Sequence, residues 1–223
     1  MSESNRNQEG CVIALGYFDR LGKQLVEIIA ALGVEDEQVT GVAQQKYQLI
    51  LEDCAYLDAP KNVLADALFT CNVHLAAYLA LQELGHEVTA HNYGSAMLDN
   101  MQTNMKSWQA QSPEGELDIK GPGTHPGEFQ IQQVKSDKPG AWGYNITGCA
   151  ICHHFGKHEA LELVPYMCAM DDVVSDKGGQ GLRRTGTIAL GAHQCDFRYD
   201  SASQPLRVAD SNPDKIKFIH DLA

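Results

Sequence analysis

The segment Lys61 to Leu84 (KNVLADALFTCNVHLAAYLALQEL) is apolar around most of a helical circumference and stops at Gly85. A helix with no continuous polar stripe has to be wrapped by other helices, because any apolar face left in water forfeits the burial that holds it. The chain is therefore expected to build a bundle around this segment. His74 falls inside it; an imidazole on such a face reads first as a core residue with a hydrogen-bonding neighbour and second as a ligand.

The flanking sequence supplies the wrapping helices. Asp19 to Ala31 sets Leu21, Leu25, Ile28 and Ile29 at helical spacing, with Leu32 and a stop at Gly33 just beyond. Asp36 to Leu57 carries Val39, Val42, Ala43, Tyr47, Ile50, Leu51 and Cys54 on one side, and Asp58-Ala59-Pro60 then reads as a cap with a proline near the next first turn. Asn92 to Gln109 aligns Met97, Leu98, Met101, Met105 and Trp108, a methionine stripe that suits core packing or an apolar pocket wall.

The periodicity then changes. Gln111 to Pro126 is rich in Ser, Pro, Gly and Glu and reads as a loop, the clearest boundary in the chain. Beyond it Glu128 to Val134, Gly140 to Cys149, Gly186 to Leu190 and Asp196 to Tyr199 are expected strands, and Ala160 to Asp172 a helix with Pro165 at a kink or break. The fold class expected is α+β: a helical N-terminal half (1–110), a loop (111–126), and a Cys-rich part (127–223) with a small, mainly antiparallel sheet and a crossing helix, integrated as one domain.

Hydrophobic residues make up 43% of the 223 and charged residues 21%, as in ordinary folded chains. The net charge of -12 argues against a nucleic-acid backbone or an anionic membrane as partner. Met1 to Gly10 is polar, without the apolar core of a secretory signal, and no run of about 18 apolar residues suggests a membrane span. These features predict a cytoplasmic protein whose partner is a small molecule. The apolar helices allow a homodimer, although no heptad repeat specifies one.

Seven cysteines in such a chain argue for reduced thiols. Cys11, Cys54 and Cys71 lie among apolar neighbours and read as small core residues. Cys149, Cys152, Cys168 and Cys195 are different, for they sit with His153, His154, Asp171, Asp172, His193 and Asp196 in one short stretch. Thiols beside imidazole and carboxylate can yield a thiolate nucleophile. The same groups could bind a soft metal, zinc or iron, through Cys149, Cys152, His153, His154 and Cys168, with His158 as a further ligand. Against that, only one Cys-x-x-Cys is present, and the redox use of this pair lacks the expected context of a helix opening after a βαβ unit. No cofactor is otherwise called for. Packing in the core remains the plain alternative for any single cysteine.

Gly148-Cys149, Cys168-Ala-Met-Asp171, Arg184-Thr185-Gly186-Thr187-Ile188-Ala189-Leu190-Gly191 and Cys195-Asp196-Phe197-Arg198-Tyr199 together resemble the signature of the L-2-amino-thiazoline-4-carboxylic acid hydrolase family. The resemblance covers about Trp142 to Asp200 and implies hydrolytic opening of a cyclic, carboxylated thiazoline to an N-carbamoyl-cysteine. Such a reaction needs a nucleophile at the carbon between nitrogen and sulfur, a proton for the leaving group and a receiver for the carboxylate. The residues implied are Cys195 or Cys149 as attacking thiol, with Cys195 preferred, and Asp171 or His193 for the proton. Asp196 would orient the turn, Arg184 or Arg198 would receive the carboxylate, and Cys168 and Thr187 would line the substrate. A direct attack by water assisted by Asp171 is the competing route. In another class altogether, the Cys/His cluster would make a metal- or ligand-binding sensor or carrier.

Overall fold

A computed structural model describes residues 3–54, 64–105 and 127–208, with side chains in the first helix from Ala14 onward. The expected Asp58-Ala59-Pro60 cap, the loop Gln111 to Pro126 and the end of the helix expected over Asn92 to Gln109 lie outside the described residues. The chain divides into two compact units, residues 1–100 and 101–223, and each is taken by itself.

The first unit is helical: α1 Glu3–Ala31, α2 Gln38–Glu52, α3 Ala65–Glu83 and the greater part of α4 Ala90–Asn104. The first helix begins well before the expected Asp19: Glu3 to Gly10 is polar, and Cys11 to Phe18 is a nearly unbroken apolar run whose spacing does not declare a helix. As its composition requires, α3 is the central element, with Leu68, Val73, Leu75, Ala76, Ala77, Ala80 and Leu81 all fully buried. α1 and α2 lie against it: the ring of Tyr17 packs 5.7 Å from that of Phe69, and Tyr47 donates its hydroxyl to the Ala14 carbonyl at 2.7 Å. Lys46 on α2 pairs with Glu83 on α3. At one end, His86 Nε2 meets Asp36 Oδ2 at 3.1 Å and ties the turn after α3 to the turn before α2.

His74 is a core residue, buried with its Nδ1 3.1 Å from the Tyr93 hydroxyl. Burial drives its pKa down to about 4, because the charged imidazolium would lose its hydration. Cys54 and Cys71 are buried as well.

The second unit carries a four-stranded antiparallel sheet of order β1-β2-β4-β3, formed by Gln130–Val134, Trp142–Gly148, Leu182–Arg183 and Cys195–Tyr199. α5 (Ala150–Lys157) follows β2 directly, and α6 (Val164–Gly178) precedes β3. Pro165 opens α6 in its first turn, where a missing N–H costs nothing, and does not kink it. α5 was not expected from the sequence: its eight residues are too few for periodicity to declare, and its N-cap is a cysteine.

The expected strand Gly186 to Leu190 is not a strand. Asp196 takes the amides of Thr185 (2.9 Å) and Gly186 (2.7 Å). Leu190 donates its amide to the Thr187 carbonyl (3.0 Å), closing a 3-10 turn over Ile188–Leu190. These groups are already satisfied and cannot join a ladder. The pairing with β4 is made instead by Leu182–Arg183, which the sequence reading missed.

Candidate functional site

Side chains alternate along a strand, and β4 divides its residues accordingly. Cys195, Phe197 and Tyr199 are buried on one face; Asp196 and Arg198 are half-buried on the other. In register with the first set are Ile146, Tyr144 and Trp142 of β2. The result is an aromatic surface in which Trp142 stacks on Tyr199 with centroids 4.0 Å apart, and Tyr144 on Phe197 at 4.8 Å. Tyr144 and Tyr199 also lie against each other, ring centroids 6.2 Å apart.

Arg184 lies between this surface and α6. Its guanidinium sits 4.9 Å over the Phe197 ring and donates to Asp171 Oδ2 (3.0 Å) and to the Cys168 carbonyl (2.8 Å), with Asp172 Oδ1 3.5 Å away. The side chain is 2% exposed. Burial alone would favour losing its charge, but Asp171, Cys168 and Asp172 outweigh it and keep it cationic. Arg184 is thus an internal clamp whose Nη donors are engaged, while its Nε is buried without a hydrogen-bond partner among the described residues.

One cation faces two carboxylates. Burial pushes Asp171 above the usual carboxylate range against the opposing pull of Arg184. Asp172 is pushed up to about 6, again by burial first, with Arg184 opposing and Asp171 adding repulsion. Yet 43% of the Asp171 side chain remains accessible. A carboxyl raised by burial yet still within reach holds its proton more readily than a free one, as a proton donor must.

Three thiols face the same place. Thr187, itself buried, sets its Oγ1 3.3 Å from Cys195 Sγ and 3.5 Å from Cys168 Sγ. The Ile188 amide donates to Cys195 Sγ at 3.2 Å. Cys149, the residue between β2 and α5, accepts the Cys152 amide on its sulfur at 3.5 Å. Cys149 and Cys168 are half-buried, whereas Cys195 is 4% exposed. Burial carries the Cys168 thiol up to about 12, with Arg184 opposing and Cys149 and Cys195 adding to the rise. Cys195 is also raised by burial, with the Thr187 hydroxyl and Ile188 amide opposing. Cys149 is raised most, first by its side-chain hydrogen bond with Cys152 and then by burial. All three rest as neutral thiols.

Cys149, Cys168, Asp171, Arg184, Thr187 and Cys195 therefore come together, and the remaining predicted residues do not join them. Arg198 points to the other face of β4, where it donates to the Tyr144 carbonyl (3.1 Å), the Phe197 carbonyl (2.7 Å) and Asn145 Oδ1 (2.8 Å). His193 is exposed on the turn before β4. Asp196 works at one remove, holding Thr185 and Gly186 and with them the segment that presents Thr187 and Ile188. His153 and His154 stand on α5 with rings 5.6 Å apart. Among the described residues no three His, Cys, Asp or Glu side chains converge as a metal-holding group, so the ligand set of Cys149, Cys152, His153, His154 and Cys168 is not assembled.

Cys149 does cap a helix that follows a strand, contrary to the expectation that Cys-x-x-Cys lacked such a setting; β2 is antiparallel to its neighbours, so no βαβ unit is involved. The sequence reading also passed over Tyr144, Phe197 and Tyr199 as site residues. The signal was the period-two aromatic spacing of Trp142, Tyr144 and of Phe197, Tyr199. No helix among the described residues is long and apolar enough to cross a membrane.

Compared with known proteins, the chain matches the family model described as L-2-amino-thiazoline-4-carboxylic acid hydrolase over residues 64–199. No curated protein and no solved structure matches it.

Proposed function

From the premise that the chain belongs to the L-2-amino-thiazoline-4-carboxylic acid hydrolase family, we propose that it opens a small cyclic, carboxylated thiazoline by covalent thiol catalysis. The observation that carries this reading is the meeting of Cys168 and Cys195 on the Thr187 hydroxyl, beside the Arg184 clamp that joins the Cys168 carbonyl to Asp171, with Cys149 close enough to act on both thiols. Accessibility moves the role of attacking thiol from Cys195 to Cys149: a residue that is 4% exposed cannot meet a substrate without rearrangement, and Cys149 is only partly buried.

The Cys149 sulfur bonds to the ring carbon between nitrogen and sulfur as its proton passes to the ring nitrogen. The carbon–sulfur ring bond then breaks, and Asp171 in its protonated form supplies the proton to the departing sulfur. Water adds to the resulting isothiourea and expels the Cys149 thiol. The net change is one water consumed and one N-carbamoyl-cysteine formed. Arg184 acts on this sequence through Asp171, and Cys168, Thr187 and Cys195 shape the wall beside the attacking sulfur. The setting proposed is the cytoplasm, with no metal required in the scheme.

Cys149→Ala should abolish consumption of 2-amino-thiazoline-4-carboxylate while leaving the fold intact, and Asp171→Asn should slow it by about 10²–10⁴-fold. Mass spectrometry of a quenched turnover should find the adduct on the tryptic peptide ending at Lys157. If Cys149→Ala and Cys195→Ala both fold and both retain full turnover, thiol catalysis is wrong and direct water attack assisted by Asp171 takes its place.

A further inference from the structure

The mechanism leaves Cys152 unused, although the fold places it against the attacking thiol. At a helix start the N-cap side chain and the side chain three residues on face each other, each able to reach the other's backbone amide. Cys149 is the N-cap of α5 and Cys152 stands at that third position, with the Cys152 amide donated to Cys149 Sγ at 3.5 Å. Helical geometry sets residues so spaced with Cα atoms about 5 Å apart, inside the range a disulfide bridges. Both residues are half-buried, neither sealed nor free in solvent.

We infer that Cys149 and Cys152 form a reversible disulfide modification site, with Cys152 as the resolving thiol that captures Cys149 after oxidation. The inference stands apart from the hydrolase reading, since it concerns the two sulfurs alone. The oxidant is a small-molecule disulfide such as glutathione disulfide. The Cys149 sulfur attacks one of its sulfurs as its proton passes to the departing glutathione sulfur; that S–S bond breaks, a mixed disulfide forms, and one glutathione thiol leaves. The Cys152 thiolate then attacks the Cys149 sulfur, closing the ring and expelling the second glutathione thiol. Two protein thiols are oxidised and one disulfide is reduced.

Cys168 and Cys195 are the internal competitors. Both exchange charge interactions with Cys149, but both approach from other elements, and Thr187 is interposed between them. Cys152 is attached to Cys149 by two residues of the same helical turn, so closing that ring orders little additional chain.

The full-length reduced chain should be equilibrated in glutathione buffers of increasing disulfide fraction, acid-quenched, unfolded and alkylated. The alkylatable thiols should fall from all seven by two, and both losses should lie in the single tryptic peptide that ends at Lys157, lighter by two hydrogens. Dithiothreitol should restore them. In Cys152→Ser the reaction should stop with glutathione on Cys149. A bridge from Cys149 to Cys168 or Cys195, equal accumulation of the mixed disulfide in both proteins, or no thiol loss at all would overturn the proposal. Because no turnover is read, a failed activity assay leaves this result standing, and a failed ring leaves the hydrolase reading standing.

Discussion

Arg184 concentrates much of the second unit's electrostatics in one side chain. It is almost fully buried, spans two carboxylates and a helix carbonyl, and rests on Phe197. Removing one partner of a buried ionic group strands the others, at a cost of roughly 3–5 kcal/mol. Urea unfolding of Arg184→Gln should show a loss of that order, and Arg184→Lys should recover little of it because one ammonium cannot serve the separated acceptors of a planar fork. Asp172 gives the pH dependence its sign. Its folded pKa of about 6 lies above the ordinary 3.8, so the native state holds the proton more tightly than the unfolded chain. The stabilisation is complete at pH below about 4 and is lost as pH rises through about 6, on the order of 2–3 kcal/mol in all. In Asp172→Asn this decline should disappear from a pH series of unfolding midpoints, leaving the smaller contribution of Asp171 in the same direction.

Among the elements, the helices of the first unit were legible because long apolar faces repeat over many turns, and α3 declared its central position by having no polar stripe at all. β1, β2 and β4 could be read from alternation. The errors fall where short-range hydrogen bonds override pattern. Asp196 spends the amides of Thr185 and Gly186, so a β-branched run becomes a turn, and β3 is two residues long. The site was legible as a set of residue types, with Cys149, Cys168, Asp171 and Cys195 all named from sequence. Their faces were not: that Arg198 points outward depends on where β4 starts, and that Arg184 points inward on where the two-residue β3 ends. The junction between α6 and β3 offers a test of this level. A Cβ on Gly181 would lie 2.1 Å from the Asp200 carbonyl oxygen, in a residue already at φ +63°, whereas Gly179 at φ +61° has open space around it. Gly179→Ala should cost about 1–2 kcal/mol for the left-handed backbone. Gly181→Ala should cost clearly more, because β3 must leave β4 to admit the methyl; denaturation midpoints of the two variants give the comparison.

For the molecule as a whole, the two units should answer acid in opposite senses. His74 in the first has a folded pKa of about 4 against an ordinary 6.5, so the unfolded chain binds the proton more readily and stability is lost as pH falls through that interval. The Asp171–Asp172 pair in the second gains stability over much of the same interval. Hydrogen exchange, corrected for intrinsic rates, should show α3 losing protection between pH 6.5 and 4.5 while α6 and β4 gain it; parallel changes in both units would contradict the assignment. The strand order carries a last consequence. β4 lies between β2 and β3 and is the latest of the four along the chain, so during synthesis on a ribosome the middle of the sheet stays vacant until Cys195–Tyr199 has emerged. Until then β2 offers an unpaired hydrogen-bonding edge and its aromatic face to whatever is nearby, which makes the nascent chain a client for holding factors and sets the moment at which its thiols first become neighbours.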